Sequence, residues 1–463
     1  MSFIAAALPP SPPGGGGGRR VRAERRHRVA PTLLWGTLGL AACVTRPPAA
    51  IPPCGSDRDC KLERICERGI CVWPAPLAAR APATPTLRPD AGLGDAGASA
   101  FGPALGGGFT MFRQEPLHRG RSPHVLPEEA PSIAWTYRTS APVTSSPALA
   151  TDGTVVFGGH DGKIHVVDPS GQGRFTLQTG DLIFGSPAVD ERGDILLGSG
   201  DDHLYKVDLE RRVLAWRLKL GTCKATRGVG PEASRCDVDG GPTVGPDGTL
   251  YVGGDGLFAI APEGRIRWHF ATPRRVPTAP TLHPAGLVLV GGQDDTLYAL
   301  SPEGKKLWDF RAGDDIESTP AVGDDGTIYF GADDQKIYAL TPEGALLWAF
   351  STGDDVRASP AIGRNGHILV GSFDGLFYAL TPEGTLAWSF RAGDRIVSSA
   401  LVDARGAILF GSQDDRLYAL EGDGTLRWSV ALGGDIDSSP TLGPEGTIYV
   451  GSDDGNLYAL RAP

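Results

Sequence analysis

Carboxylates recur through the second half of this 463-residue chain at a near-fixed interval. Asp314 and Asp315, Asp354 and Asp355, Asp394, and Asp435 lie about forty residues apart. A second set recurs with them, in pairs such as Asp294-Asp295, Asp333-Asp334, Asp414-Asp415 and Asp453-Asp454. Paired carboxylates can hold a cation, draw a basic partner, or hydrogen-bond their own backbone in turns. They are not a catalytic mechanism without groups that orient them. The nine histidines form no cluster, no cysteine stands in a catalytic pairing with histidine, and no glycine loop suited to phosphate is present. No catalytic residue and no metal-ligating set is therefore assigned.

What must position these carboxylates is a repeat. A Pro (once Ala) opens each copy at Pro147, Pro187, Pro242, Pro280, Pro320, Pro360, Ala400 and Pro440, at spacings of 40, 55, 38, 40, 40, 40 and 40. A period near forty marks a repeat architecture. Within Thr319–Ala358, TPAVG, TIYFGA, KIYALT and ALLWAF read as four short strands. Asp-Asp-Gly and Pro-Glu-Gly between β-branched and aromatic runs are hairpin signals. The runs are apolar almost throughout, which predicts strands covered on both faces. Four antiparallel strands at this period describe a propeller blade.

An aromatic marks each fourth strand: Phe175, Trp216, Trp268, Trp308, Trp348, Trp388 and Trp428. Each lies 12 residues before the next opening position, except Trp216 at 26. The last repeat stops after its third strand. Trp135, 12 residues before Pro147, supplies the missing fourth. An all-β, eight-bladed propeller is predicted, closed by an N-terminal strand in the last blade, with these eight aromatics in blade cores. Such a ring leaves no open end and is expected to be monomeric.

Upstream, residues 1–42 carry a basic run (Arg19 to Arg28) and an apolar stretch, Val29 to Ala42, as in a signal peptide. The long lead before the basic run suggests a true start downstream of Met1. Leu40-Ala41-Ala42-Cys43 matches a lipobox, which makes Cys43 the expected lipid attachment site. Residues 43–73 hold Cys54, Cys60, Cys66 and Cys71, with five, five and four residues between them. They read as a small two-disulfide module in an oxidising compartment, with pairing left open; a zinc site would favour closer pairs. Cys223 and Cys236 are expected to pin the one long insertion. Residues 74–108, rich in Ala, Pro and Gly, are a tether. Residues 109–463 form the propeller, with Thr110–Ser122 as an ordered lead-in.

Removing residues 1–42 takes away six arginines and one glutamate, moving the net charge from −10 to about −15. That argues against nucleic acid as a partner. In this strand order the second-to-third turns and the inter-blade connections share one face. Asp314, Asp315, Asp354, Asp355, Asp394 and Asp435 are therefore the expected partner-binding acidic face.

The repeat TPAVGDDGTIYFGADDQKIYAL, followed by a Trp-containing strand, resembles the PQQ-type quinoprotein propeller family over residues 109–463. The resemblance implies either a PQQ-dependent dehydrogenase or a member of the non-enzymatic branch that includes the outer-membrane assembly lipoprotein BamB. The dehydrogenases carry adjacent cysteines, a calcium site and elaborated blade connections; here no cysteines adjoin and seven of eight connections share one short length. The expectation is a non-enzymatic, cofactor-free scaffold, lipid-anchored at the bacterial outer membrane, that binds an envelope protein through a basic surface. The alternatives are a PQQ-dependent dehydrogenase and an envelope sensor of a polymer or small ligand.

Overall fold

The computed structural model describes residues 65–67, 70–72, 111–113, 115–221 and 237–462. Two units divide the chain, residues 1–92 and 93–463. In the first, Ile65–Glu67 and Ile70–Val72 pair antiparallel, with the Cys66 and Cys71 backbones opposite each other. Cys43, Cys54, Cys60, Cys223 and Cys236 lie outside the described residues, as do the side chains of Cys66 and Cys71, and so do the expectations attached to them.

The second unit contains eight four-stranded antiparallel sheets. In blade five the strands are Ala321–Val322, Ile328–Ala332, Lys336–Leu340 and Leu346–Ser351, hydrogen-bonded in that order. Blade eight takes its outer strand, Ser132–Arg138, from upstream, with Trp135 opposite Ala459. The predicted closure and blade count are what the structure shows.

The two middle strands of a blade are buried along nearly their whole length, as their continuous apolar runs demand. Outer strands differ from the expectation. Leu346–Ser351 alternates exposed and half-buried residues, because no sheet covers its outward face. The marker aromatics are correspondingly not core residues. Trp135, Phe175, Trp216, Trp268, Trp308, Trp348 and Trp388 are half-buried, and among them only Trp428 is buried, at 5% exposure.

These tryptophans are latches between blades. The Trp308 indole donates to the Pro342 carbonyl at 2.9 Å and Trp348 to Pro382 at 2.8 Å, each in the third-to-fourth turn of the next blade. That turn ends in a glycine with φ near +85°, and a Cβ on Gly344 would lie 2.6 Å from Trp308 Cδ2. Glycine is needed there twice, for its backbone and for the ring beneath it. Blade eight has no such turn, because its outer strand comes from elsewhere in the chain. There Trp428 donates to Pro127, just beyond the lead-in, at 2.9 Å, and Leu126 joins the same core.

The lead-in follows the far ends of the inner strands. Leu282, Val322, Ile362 and Val402 donate backbone hydrogen bonds to Pro116, Leu117, Arg119 and Gly120. Its arginines fix it: Arg119 reaches Glu115 and Asp324, each at 2.6 Å, and Arg121 also pairs with Asp324. Arg113 is buried and donates to the His118 and Ser359 carbonyls.

Candidate functional site

A hydroxyl before the opening position of five successive blades ties them to their neighbours around the axis. Ala279 N–H donates to Thr319 Oγ1, Thr319 to Ser359, Ser359 to Ser399, Ser399 to Ser439, and Ser439 to Ser146, at 2.9 to 3.1 Å. The last bond crosses the junction of the chain ends. Above this ring opens a cavity of about 600 Å³, with Phe112 of the lead-in also in its lining.

The third residue before each opening position faces this funnel. In blade order these residues are Thr144, Phe184, Asp239, Pro277, Glu317, Arg357, Val397 and Asp437. A second tier comes from the second-to-third turns and includes His160, Phe373, Gln413 and Asp453. The lining holds five carboxylates (Asp237, Asp239, Glu317, Asp437, Asp453) against two arginines, Arg275 and Arg357.

Both arginines are already engaged. Arg275 Nη1 lies 2.6 Å from Asp239 and 3.6 Å from Asp237, and its Nε donates to Gln293. Gln293 donates in turn to Glu317 at 2.7 Å. Arg357 forks onto Asp333 at 3.1 and 2.8 Å and reaches Glu317 at 3.2 Å. Its guanidinium, with that of Arg395, stacks on Phe373 at 5.3 Å. The opposite arc is uncompensated: Asp453 Oδ1 is sealed from solvent without a hydrogen-bond partner. Burial, then the neighbouring Asp437, Asp435 and Asp454 carboxylates, push Asp453 up to about 6. Burial and like charge also raise Asp435 and Asp437.

The six aspartates expected to form a binding face ring the mouth and do not line the cavity. Asp314, Asp354 and Asp394 accept the N–H of the residue that follows them, at 2.8 to 3.0 Å. Asp315 lies 3.1 Å from Arg274, and burial raises its carboxyl to about 6 in spite of that neighbour. Asp355 lies 3.7 Å from Arg357. Carboxylate oxygens of Asp295, Asp314 and Asp315 fall within 4.8 Å of one another. Arg311 and Arg274 already neutralise two of the three.

The turn aspartates have a structural task. Asp374 accepts the Tyr378 hydroxyl at 2.6 Å and the Gly353 N–H at 2.7 Å, and Asp414 does the same with Tyr418 and Gly393. Each thus clasps the connection that enters its own blade.

Sequence reading missed Asp239, Arg275, Glu317 and Arg357 as site residues. For Asp239, Glu317 and Arg357 the signal is divergence at one fixed repeat position, three before the opening proline, between positions that stay alike; Arg275 lies two residues earlier in its repeat.

The family model described as "Outer membrane protein assembly factor BamB" matches residues 201–316, 293–420 and 374–463, more than half of the chain. No curated protein sequence matches. The crystal structure of BamB from Moraxella catarrhalis is similar at TM-score 0.59 and 17% identity, covering 72% of this chain and 100% of that one. A europium-containing methanol dehydrogenase aligns at 0.61 and 14% identity, covering 74% and 89%. The quinohemoprotein alcohol dehydrogenase of Comamonas testosteroni aligns at 0.62 and 13%, covering 79% and 82%. At such identities the structures speak for the fold alone, and the family rests on the matched repeats: this chain belongs to the PQQ-like β-propeller repeat family that the BamB model describes.

Proposed function

We propose that this protein is a non-enzymatic, lipid-anchored scaffold of the bacterial cell envelope that holds a basic protein partner at the acidic mouth of its propeller, in the manner of an outer-membrane assembly factor. The observation that carries the reading is the funnel wall, five carboxylates against two arginines that are both spent on internal pairs. Such a wall attracts cationic groups and speeds their association. The family match supports an envelope role, and the lipobox at Cys43 supports the anchor.

The cofactor of the dehydrogenase relatives does not fit this funnel. PQQ is a tricarboxylated quinone and calls for free cationic groups and a bound metal. Here the charge has the wrong sign, and the acidic trio at the mouth is largely neutralised by Arg274 and Arg311.

Two measurements test the reading. The Cys43→Ser variant should move from the membrane to the soluble fraction; unchanged partition would remove the anchor. The full-length protein given PQQ with calcium or europium should show no dye-linked oxidation of methanol or glucose. Stoichiometric PQQ binding with turnover would replace the scaffold by an enzyme.

A further inference from the structure

Two arcs of the funnel share one framework, and only one of them holds a guanidinium at its centre. In the connection entering blade six, Val356 N–H donates to the Ala332 carbonyl, and the next residue is Arg357. In the connection entering blade one, Val143 N–H donates to the Ser452 carbonyl, and the next residue is Thr144. Asp333 N–H bonds the Asp315 carbonyl in the first arc, and Asp453 N–H bonds the Asp435 carbonyl in the second. Gln293 donates to Glu317 at 2.7 Å; Gln413 donates to Asp437 at 3.0 and 3.3 Å. Phe373 N–H bonds the Asp355 carbonyl, and His160 N–H bonds the Pro142 carbonyl. Thr144, Asp453, Asp437, Gln413 and His160 therefore stand where Arg357, Asp333, Glu317, Gln293 and Phe373 stand.

In the first arc all four partners serve the Arg357 guanidinium or its acceptors: two carboxylates, the glutamine that orients one of them, and the aromatic face. In the second arc two carboxylates, a glutamine and a flat ring are kept as Asp453, Asp437, Gln413 and His160, and the guanidinium is missing. Thr144 is short and hydrogen-bonds His160 Nε2 at 2.8 Å, and Asp453 Oδ1 is buried without a donor. Burial lowers the His160 pKa, so at neutral pH its ring is an uncharged flat face that does not repel a cation.

We propose that the arc between blades eight and one is a guanidinium subsite, completed by an arginine side chain that a partner protein inserts beside Thr144, between Asp437 and Asp453 and over His160. The proposal deepens the scaffold reading and rests on it for the identity of the donor, but the subsite itself stands on the internal equivalence. Arginine is favoured over lysine because its planar fork matches two carboxylates and an aromatic face together.

Two experiments on the full chain test it. Thr144→Arg should fill the subsite in cis and raise Tm by about 2 °C at pH 7.5, with the gain shrinking at pH 5 as Asp453 takes a proton. An unchanged or lower Tm at both pH values would overturn the proposal. Second, N-acetyl-arginine amide should bind the wild type by calorimetry or NMR. Binding should be at least about tenfold weaker to Asp453→Asn or Thr144→Arg, and N-acetyl-lysine amide should bind the wild type about as weakly. Equal binding of the two amides, or no loss in the variants, would mean diffuse charge attraction and sink the subsite. Tighter binding of free arginine than of the amide would keep the subsite and move its source from a partner chain to a small ligand. If Thr144→Arg stabilises and the arginine amide binds, yet no arginine-bearing envelope protein associates, the scaffold reading fails while the subsite survives.

Discussion

Each blade has two ends built from the same repeat, and they obey different rules. At the outer rim the same latch recurs, with Trp268 on Gly304, Trp308 on Gly344, Trp348 on Gly384 and Trp388 on Gly424. At the funnel wall one position reads Thr144, Phe184, Asp239, Pro277, Glu317, Arg357, Val397 and Asp437. The rim repeats wherever a blade meets its neighbour through the same third-to-fourth turn; at blade eight, which lacks that turn, Trp428 goes to Pro127 instead. The wall position faces the cavity and touches groups around it, such as Glu317 on Arg357, so blade packing does not dictate its side chain. In a repeat protein, sameness therefore reports what the ring needs, and difference reports what the site offers.

The sharpest way to break this contrast is at the rim. Trp428→Ala removes the buried indole that joins blade seven to Pro127, and should cost about 3–5 kcal/mol in urea unfolding. Trp348→Ala, at a half-buried latch, should cost less, about 2 kcal/mol. Equal losses would mean that Pro127 and Leu126 add nothing at the closing blade.

Next is the axial hydroxyl ring. Ser399→Ala leaves the Ser359 N–H buried without its acceptor, and should cost about 1–2 kcal/mol. A neutral result would reduce the ring to a by-product of blade packing.

These two regions also mark how far the sequence could be read. The period, the strand count and the circular closure through Trp135 were all legible, because turn glycines and fourth-strand aromatics are local signals. The exposure of the outer strand was not. Leu346 and Leu386 are as apolar as residues of the middle strands, and only the absence of a covering layer leaves them exposed. The acidic character of the mouth was legible; its division of labour was not. Asp314 and Asp354 drew attention as paired carboxylates, yet they cap their own connection. Glu317 and Arg357 stand alone in sequence and meet only when the ring brings adjacent blades together.

A smaller effect comes from the buried carboxylates of the funnel. Asp453 is raised to about 6 in the fold, against about 4 for an unfolded aspartate. The folded state therefore binds more protons between those values. Its stability should fall as pH rises from about 4 to about 6, and the cost should be complete above that window. Asp453→Asn should flatten that part of a Tm-against-pH curve. An unchanged slope would place the titration elsewhere, with Asp333, which burial raises to about 7 in spite of Arg357, the next group to replace.

The smallest change in stability is expected at the mouth. In Asp314, Asp354 and Asp394 the oxygen that accepts the following N–H has an equal counterpart in the asparagine carbonyl. Replacing all three with Asn should leave stability within about 0.5 kcal/mol per site. Asp314 also adds to the upward push on Asp315, so its replacement relieves repulsion and does not break a pair. What the triple variant loses is charge at the entrance, three units placed one blade apart. Long-range attraction acts on encounter, so the partner should associate more slowly while dissociation changes little. The difference should fade as salt shortens the screening length to about 10 Å at 0.1 M. Association rates measured against ionic strength for both proteins decide the matter. Parallel salt slopes would assign these aspartates to turn geometry alone and leave recognition to the divergent wall inside the funnel.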